Sequence, residues 1–179
     1  LGGPRNLIYD LKNPGHVLIN EWGGIIKTMD TKNRNVSYFG TVGRTVNSFI
    51  QQDSSGNLFM AVYHAVGVFS YHTKTFTVVS GSTSRGFQDG PFSEVRFNDP
   101  VDLSFWNSHT LLVSDYTNDK LRILDLITNT SSSICTGGSR DADGDFSSCS
   151  IDGPRELLIL EEKIYIGADQ RIKIIECTY

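Results

Sequence analysis

Internal repetition narrows the possible folds of this chain more than any other feature. The stretch DGPFSEVRFNDPVDL from Asp89 lies over DGDFSSCSIDGPREL from Asp143 without a gap across fifteen positions, a shift of 54 residues. Asp-Gly, Phe-Ser, an apolar residue (Phe97 or Ile151), Pro (Pro100 or Pro154), an acid (Asp102 or Glu156) and Leu (Leu103 or Leu157) coincide in order. A repeat of this length is one supersecondary unit that cannot bury its apolar face alone, so the chain must stack several units around a shared core.

Each unit carries the same run downstream: a β-rich stretch, a short polar or glycine-bearing turn, and a second β-rich stretch. It reads VLINEWGGIIKTMD from Val17, LFMAVYHAVGVFSYH from Leu58, LLVSDYTNDKLRILD from Leu111 and IYIGADQRIKIIE from Ile164, with starts spaced by 41, 53 and 53 residues. A further strand follows in three units, entered by a threonine turn at Thr31, Thr73 or Thr128 and closed by Gly40, Gly81 or Gly137, where a left-handed turn residue costs nothing. β-Branched and aromatic residues alternate through these runs, and no window shows a 3.6-residue period. With the short strand after each Pro-x-x-Leu segment, the pattern predicts an all-β fold of about four four-stranded blades, approximately residues 1–40, 41–85, 86–138 and 139–179, in one β-propeller domain spanning 1–179.

The wording of the third unit is more specific. Asp-Gly, then Val95, Arg96, Phe97 and Asn98, a Pro, Leu-Leu-Val-Ser-Asp and a Tyr-Thr-Asn turn resemble the NHL-repeat family of β-propellers. The second unit departs furthest, for it lacks Asp-Gly and Pro and has Val62 where the others end the run in an acid or Ala168. Propellers of this family look like discs of roughly six blades, so four units imply an incomplete ring. Either the residues belong to a longer propeller, or neighbouring copies complete one another as a ring or filament through exposed strand edges.

Sixteen Lys plus Arg against twenty Asp plus Glu, without a basic run, argue against nucleic acid as a partner. No apolar stretch approaches the roughly 20 residues that span a bilayer. Cys135 falls in the outer strand of the third unit and Cys149 in the lead-in to the fourth, so a chain reversal there could bring them together; a disulfide between them and a pair of buried thiols are the two readings. Cys177 is then left unpaired or available to another chain. Asn35 and Asn129 head Asn-x-Ser/Thr triplets near outer strands, where an N-glycan is tolerated. Cysteine usage, these triplets and the charge balance together predict an extracellular, secreted protein.

Three constellations are candidates for chemistry or binding. Asp141, Asp143 and Asp145 have the alternate spacing that Ca²⁺ favours, yet no glutamate follows at the twelfth position of a calcium loop; the other reading has Asp143 and its counterpart Asp89 bonding their own backbone in the turn before glycine. His16, His64, His72 and His109 would serve a metal-dependent lyase or hydrolase only by converging on a central channel. Trp22, Tyr63 and Tyr116 coincide at the turn after the second strand, either as a binding belt on one face or as packing between blades. No nucleophile elbow, phosphate loop or zinc-protease helix is present. The expectation is a non-enzymatic module for protein–protein interaction or self-assembly, with no cofactor beyond a candidate Ca²⁺ and with a channel metalloenzyme as the alternative.

Overall fold

The computed structural model describes residues 3–46, 49–135, 149–161, 163–168 and 171–176. These form four antiparallel sheets in chain order. The first comprises β1 (Pro4–Tyr9), β2 (His16–Glu21), β3 (Ile25–Asp30) and β4 (Val36–Thr41). The second comprises β5 (Gln51–Gln52), β6 (Leu58–Val62), β7 (His64–Phe69) and β8 (Phe76–Ser82). The third contains β9 (Gly90–Pro91), β10 (Pro100–Asn107), β11 (Thr110–Asp115), β12 (Lys120–Asp125) and β13 (Thr130–Ile134), and the fourth β14 (Pro154–Leu160), β15 (Lys163–Ala168) and β16 (Arg171–Glu176). Together they are the four blades of a β-propeller, with second strands beginning at His16, Leu58, Thr110 and Lys163, each within one residue of the start read from the repeat.

The blades are not uniform. Among the described residues the fourth sheet has three strands, and the third has five because β9 adds to the outer edge of β13 through Thr130–Pro91 and Ser131–Gly90 pairs. That rim strand is too short to leave a periodic signal. The closing glycines also serve different ends. Gly81 adopts φ +88° as expected, whereas Gly40 is not in the left-handed region; a Cβ on Gly40 would run into the Phe69 ring and one on Gly81 into Phe97, so both also permit close approach of the following blade.

Strand alternation gives each sheet two apolar faces, and each joint between consecutive blades is one buried cluster. Leu18 and Ile26 of the first blade pack on Ile50, Leu58, Met60 and Phe69 of the second. Phe59 and Val66 then pack on Phe97, Leu103, Leu111 and Val113 of the third, while Leu112, Leu121 and Ile134 pack on Leu157, Ile164 and Ile166 of the fourth. A disulfide joins Cys135 to Cys149 within this last cluster, tying the end of β13 to the lead-in of the fourth blade.

The third blade is organised by a buried cation. Arg122 on β12 is fully buried; its Nη1 donates to Asp115 Oδ2 at 2.7 Å and Nη2 to Asp89 Oδ1 at 2.6 Å, with further bonds to the carbonyls of Arg96 and Gln88. The Asp89 carboxylate also accepts from Ser131 and Ser133 of β13, so it is committed to the guanidinium and that outer strand and does not form the local backbone turn expected of it. The same ladder position holds Lys27, Gly67 and Lys173 in the other blades. Where the second blade has Gly67, the acid at the end of β6 is replaced by Val62 and the Phe76 ring packs over the glycine, so cation and acid are lost together.

A buried cation flanked by two carboxylates cannot be removed alone without stranding their charge. Arg122→Leu is expected to lower unfolding free energy by about 3–5 kcal/mol in urea denaturation, against less than about 1 kcal/mol for Lys27→Ala at its part-exposed pair with Glu21. Equal losses for the two variants would contradict this assignment.

Candidate functional site

Antiparallel pairing places the turn after each second strand at the same end of the blade as the start of the innermost strand, because Pro4 pairs with Glu21, Pro100 with Asp115 and Pro154 with Ala168. Trp22, Tyr63 and Tyr116 therefore stand at one end of three consecutive blades, beside the residues that lead into β1, β10 and β14. Trp22 and Tyr63 are exposed, while Tyr116 is half-buried at the joint between the third and fourth blades. Packing between blades thus describes Tyr116, while Trp22 and Tyr63 are open to solvent.

Each aromatic has a distinct setting. The Arg5 guanidinium lies 3.8 Å from the Trp22 ring centroid and donates to the carbonyl of Val46 at 3.2 Å. Arg155 lies 4.2 Å from the Tyr116 ring and donates to its hydroxyl at 2.8 Å, bridging two blades. Tyr63 has φ 52°, a left-handed conformation that L-residues with bulky side chains rarely adopt; the first blade uses Gly23 and Gly24 at positive φ in the corresponding turn. Stacked cations hold Trp22 and Tyr116 in place without burying them fully.

Polar ties complete this end. His64 Nδ1 accepts the Asp99 backbone N–H at 3.2 Å and lies 3.5 Å from the Asp99 carboxylate, tying the second blade to the lead-in of β10. Thr117 donates to Asp99 Oδ2, and Asp119 Oδ1 accepts the Gly153 N–H at 2.9 Å. His16 heads β2, His109 precedes β11 and His72 follows β7, all at the opposite end from His64. The four histidines do not converge, and among the described residues no group of three or more His, Cys, Asp or Glu could hold a metal ion. Asp141, Asp143, Asp145 and Cys177 lie outside the described residues. Asn35 and Asn129 are both exposed, immediately before β4 and β13 at the outer corners of the first and third blades.

A second device, not singled out from the sequence, sits on the innermost strands. The third residue of Pro4-Arg5-Asn6-Leu7 and of Pro100-Val101-Asp102-Leu103 reaches the following blade: Asn6 Oδ1 accepts the Ile50 N–H at 3.3 Å, and Asp102 Oδ2 accepts the Leu157 N–H at 2.8 Å. The coincidence of Asp102 with Glu156 in the repeat was the signal available. Burial pushes the Asp102 carboxyl up to about 7, the N–H groups of Leu157 and Leu103 pull it part of the way back, and the charge of Glu156 adds to the rise.

The folded chain therefore holds a proton on Asp102 that the unfolded chain releases above the ordinary carboxylate value, so this group makes stability fall as pH rises from about 4 to about 7. One such proton contributes a slope of up to about 1.4 kcal/mol per pH unit. Asp102→Asn keeps the acceptor, as Asn6 does in the first blade, and is expected to flatten the dependence over that window. Parallel stability–pH curves for the two proteins would contradict the buried-proton account.

No protein-family model matches the chain, and no curated protein matches it in sequence. Solved structures do match in fold. An auxiliary nutrient binding protein from Bacteroides thetaiotaomicron superposes with a TM-score of 0.75 at 19% identity, over 93% of this chain and 45% of its own. Its counterpart from Bacteroides ovatus gives 0.76 at 17% identity, over 93% and 46%. The computationally designed Ika4 protein gives 0.57 at 14% identity, over 98% and 92%. The chain thus spans less than half the length of the Bacteroides proteins that it resembles in fold.

Proposed function

We propose that the chain is a non-catalytic, extracellular propeller module of NHL type, glycosylated at Asn35 and Asn129, which works by presenting rigid surfaces to other proteins or to copies of itself. The observation that carries the reading is the row of Trp22, Tyr63 and Tyr116 at one end of three consecutive blades, with Arg5 and Arg155 stacked on the outer two. Aromatic residues and arginine are the side chains most enriched at interface centres, and a strained backbone at Tyr63 is the kind of cost retained where a side chain is used. The disulfide between Cys135 and Cys149 supports an oxidising compartment. No described helix is long and apolar enough to cross a membrane.

The non-catalytic part is supported by the separation of His64 from the other three histidines, and the reading requires no cofactor. The Bacteroides proteins are described as nutrient binding, which supports a binding role in general while leaving the ligand of this chain to experiment. The test is a screen of immobilised wild type against a panel of secreted proteins and glycans, repeated with the Trp22→Ala, Tyr63→Ala, Tyr116→Ala triple variant of unchanged circular dichroism. At least one ligand should bind wild type and lose tenfold or more in affinity in the variant. A panel whose binders are all indifferent to the three substitutions would contradict the reading.

A further inference from the structure

The two Asn-x-Ser triplets stand in unlike surroundings. Asn35-Val36-Ser37 leads into β4, the outermost strand of the first blade, and all three residues are exposed. Ser37 shares a ladder row with Thr28 and Leu18, and Leu18 packs on the second blade. The exposure of Ser37 therefore persists with its neighbouring blade in place and owes nothing to the face of the first blade that turns away from the second. Among the described residues no strand pairs with the outer edge of β4.

Asn129-Thr130-Ser131 is instead built into the third blade. Asn129 is exposed in the turn before β13, with φ 55°, and its carbonyl accepts the Phe92 N–H at 2.9 Å. Thr130 pairs with Asp125 on one side and Pro91 on the other, and Ser131 with Leu124 and Gly90. Ser131 is only 6% exposed; its hydroxyl donates to Asp89 Oδ1 at 2.7 Å and accepts from Arg122 Nη2 at 3.2 Å. Ser133 donates to the other oxygen of the same carboxylate at 2.6 Å. The third residue of this triplet is thus a member of the network that holds the blade together.

The motif states what a modifying enzyme must touch. An Asn-x-Ser/Thr acceptor needs the hydroxyl at its third position as well as the amide at its first, so both have to be within reach at once. Transfer forms a bond between the asparagine Nδ2 and the anomeric carbon of the donor sugar. It breaks that carbon's bond to the diphosphate of a lipid-linked oligosaccharide, which leaves, and releases one amide proton. In the folded chain Asn35 and Ser37 are both exposed. At the other triplet the amide is accessible and the hydroxyl is not. Freeing Ser131 means stripping β9 from β13 and parting the hydroxyl from a carboxylate that it shares with a fully buried guanidinium. Buried hydrogen bonds to charged groups are the costly ones to leave unmade.

We infer that Asn129 accepts its glycan only before the third blade closes, whereas Asn35 remains an acceptor in the folded protein. The inference rests on the glycosylation reading above and adds an order to it. Asp89, β9 and Arg122, which enclose Ser131, all precede residue 129 in the chain. Closure can follow as soon as β13 is made, without waiting for the fourth blade, and transfer at Asn129 has to win that race. Cys135, directly after β13, pairs with a cysteine further along the chain, so the disulfide reinforces this closure and does not start it. Once added, the glycan projects from an exposed turn and leaves the Asp89–Arg122 network intact.

Glycan transfer to folded and unfolded chain tests it. Protein made without glycans and with its disulfide formed is incubated with an oligosaccharyltransferase and a lipid-linked oligosaccharide, and the rate at each asparagine is read by peptide mass spectrometry. The same chain, reduced, alkylated and unfolded by circular dichroism, is the reference. Asn129 should be modified at least about tenfold more slowly in the folded protein than in the reference, and Asn35 at rates within about twofold of each other. Asp89→Ala takes away the acceptor of Ser131 and Ser133 and should raise the folded-state rate at Asn129 by about threefold or more, with Asn35 unchanged. Ser133→Ala makes the same comparison should Asp89→Ala fail to fold. Equal rates at Asn129 in folded and unfolded chain would overturn the order while leaving the glycosylation reading standing. Equal slowing at both asparagines would also overturn it, because the effect would not trace to the third blade. No transfer to either asparagine in the unfolded reference would overturn the glycosylation reading itself, and this inference with it.

Discussion

Everything in this molecule depends on covering both faces of small, twisted sheets. A four-stranded sheet with alternating apolar residues cannot leave either face in water, and radial stacking meets that constraint with one short joint at a time. The clusters that hold Leu18 with Met60, Val66 with Leu103 and Leu121 with Ile166 are successive instances of one type of joint. Polar chemistry is then fitted around that packing. Arg122 is admitted to the interior because Asp89 and Asp115 meet it there, and Asp102 because two backbone N–H groups do.

The same constraint sorts surface from structure. Side chains at blade ends are free of the covering requirement, which is why an exposed Trp22 and a backbone-strained Tyr63 are found there, while equivalent aromatics such as Phe59 and Phe69 are enclosed. Function on a repetitive scaffold is carried by such departures.

The blade pattern was legible because it is encoded locally: strand alternation, Asp-Gly turns and Pro-x-x-Leu segments recur at nearly constant spacing, and second strands begin where the repeat places them. The chain reversal between the third and fourth units left a disulfide and two buried thiols as readings of Cys135 and Cys149, and the structure has the disulfide. Less visible were features that depend on contacts between units. The β9 rim strand is two residues long and is defined only by its partner β13. The burial of Arg122 could be suspected from its alignment with Lys27 and Lys173, yet its carboxylate partners come from 33 residues upstream and from the end of β11. Gly40 reads as a turn residue and proves to be a packing residue, because the Phe69 ring that requires it belongs to the next blade.

The central claim is that each sheet is held by its neighbours in sequence order, with the second and third blades enclosed on both faces. Native-state hydrogen exchange resolved by residue measures this directly. The account predicts that amides of β6 and β11 exchange only through global unfolding, and that protection declines across each blade toward β8 and β13. Comparable exchange in the central strands and the outer strands, or slowest exchange in an outer strand, would contradict it.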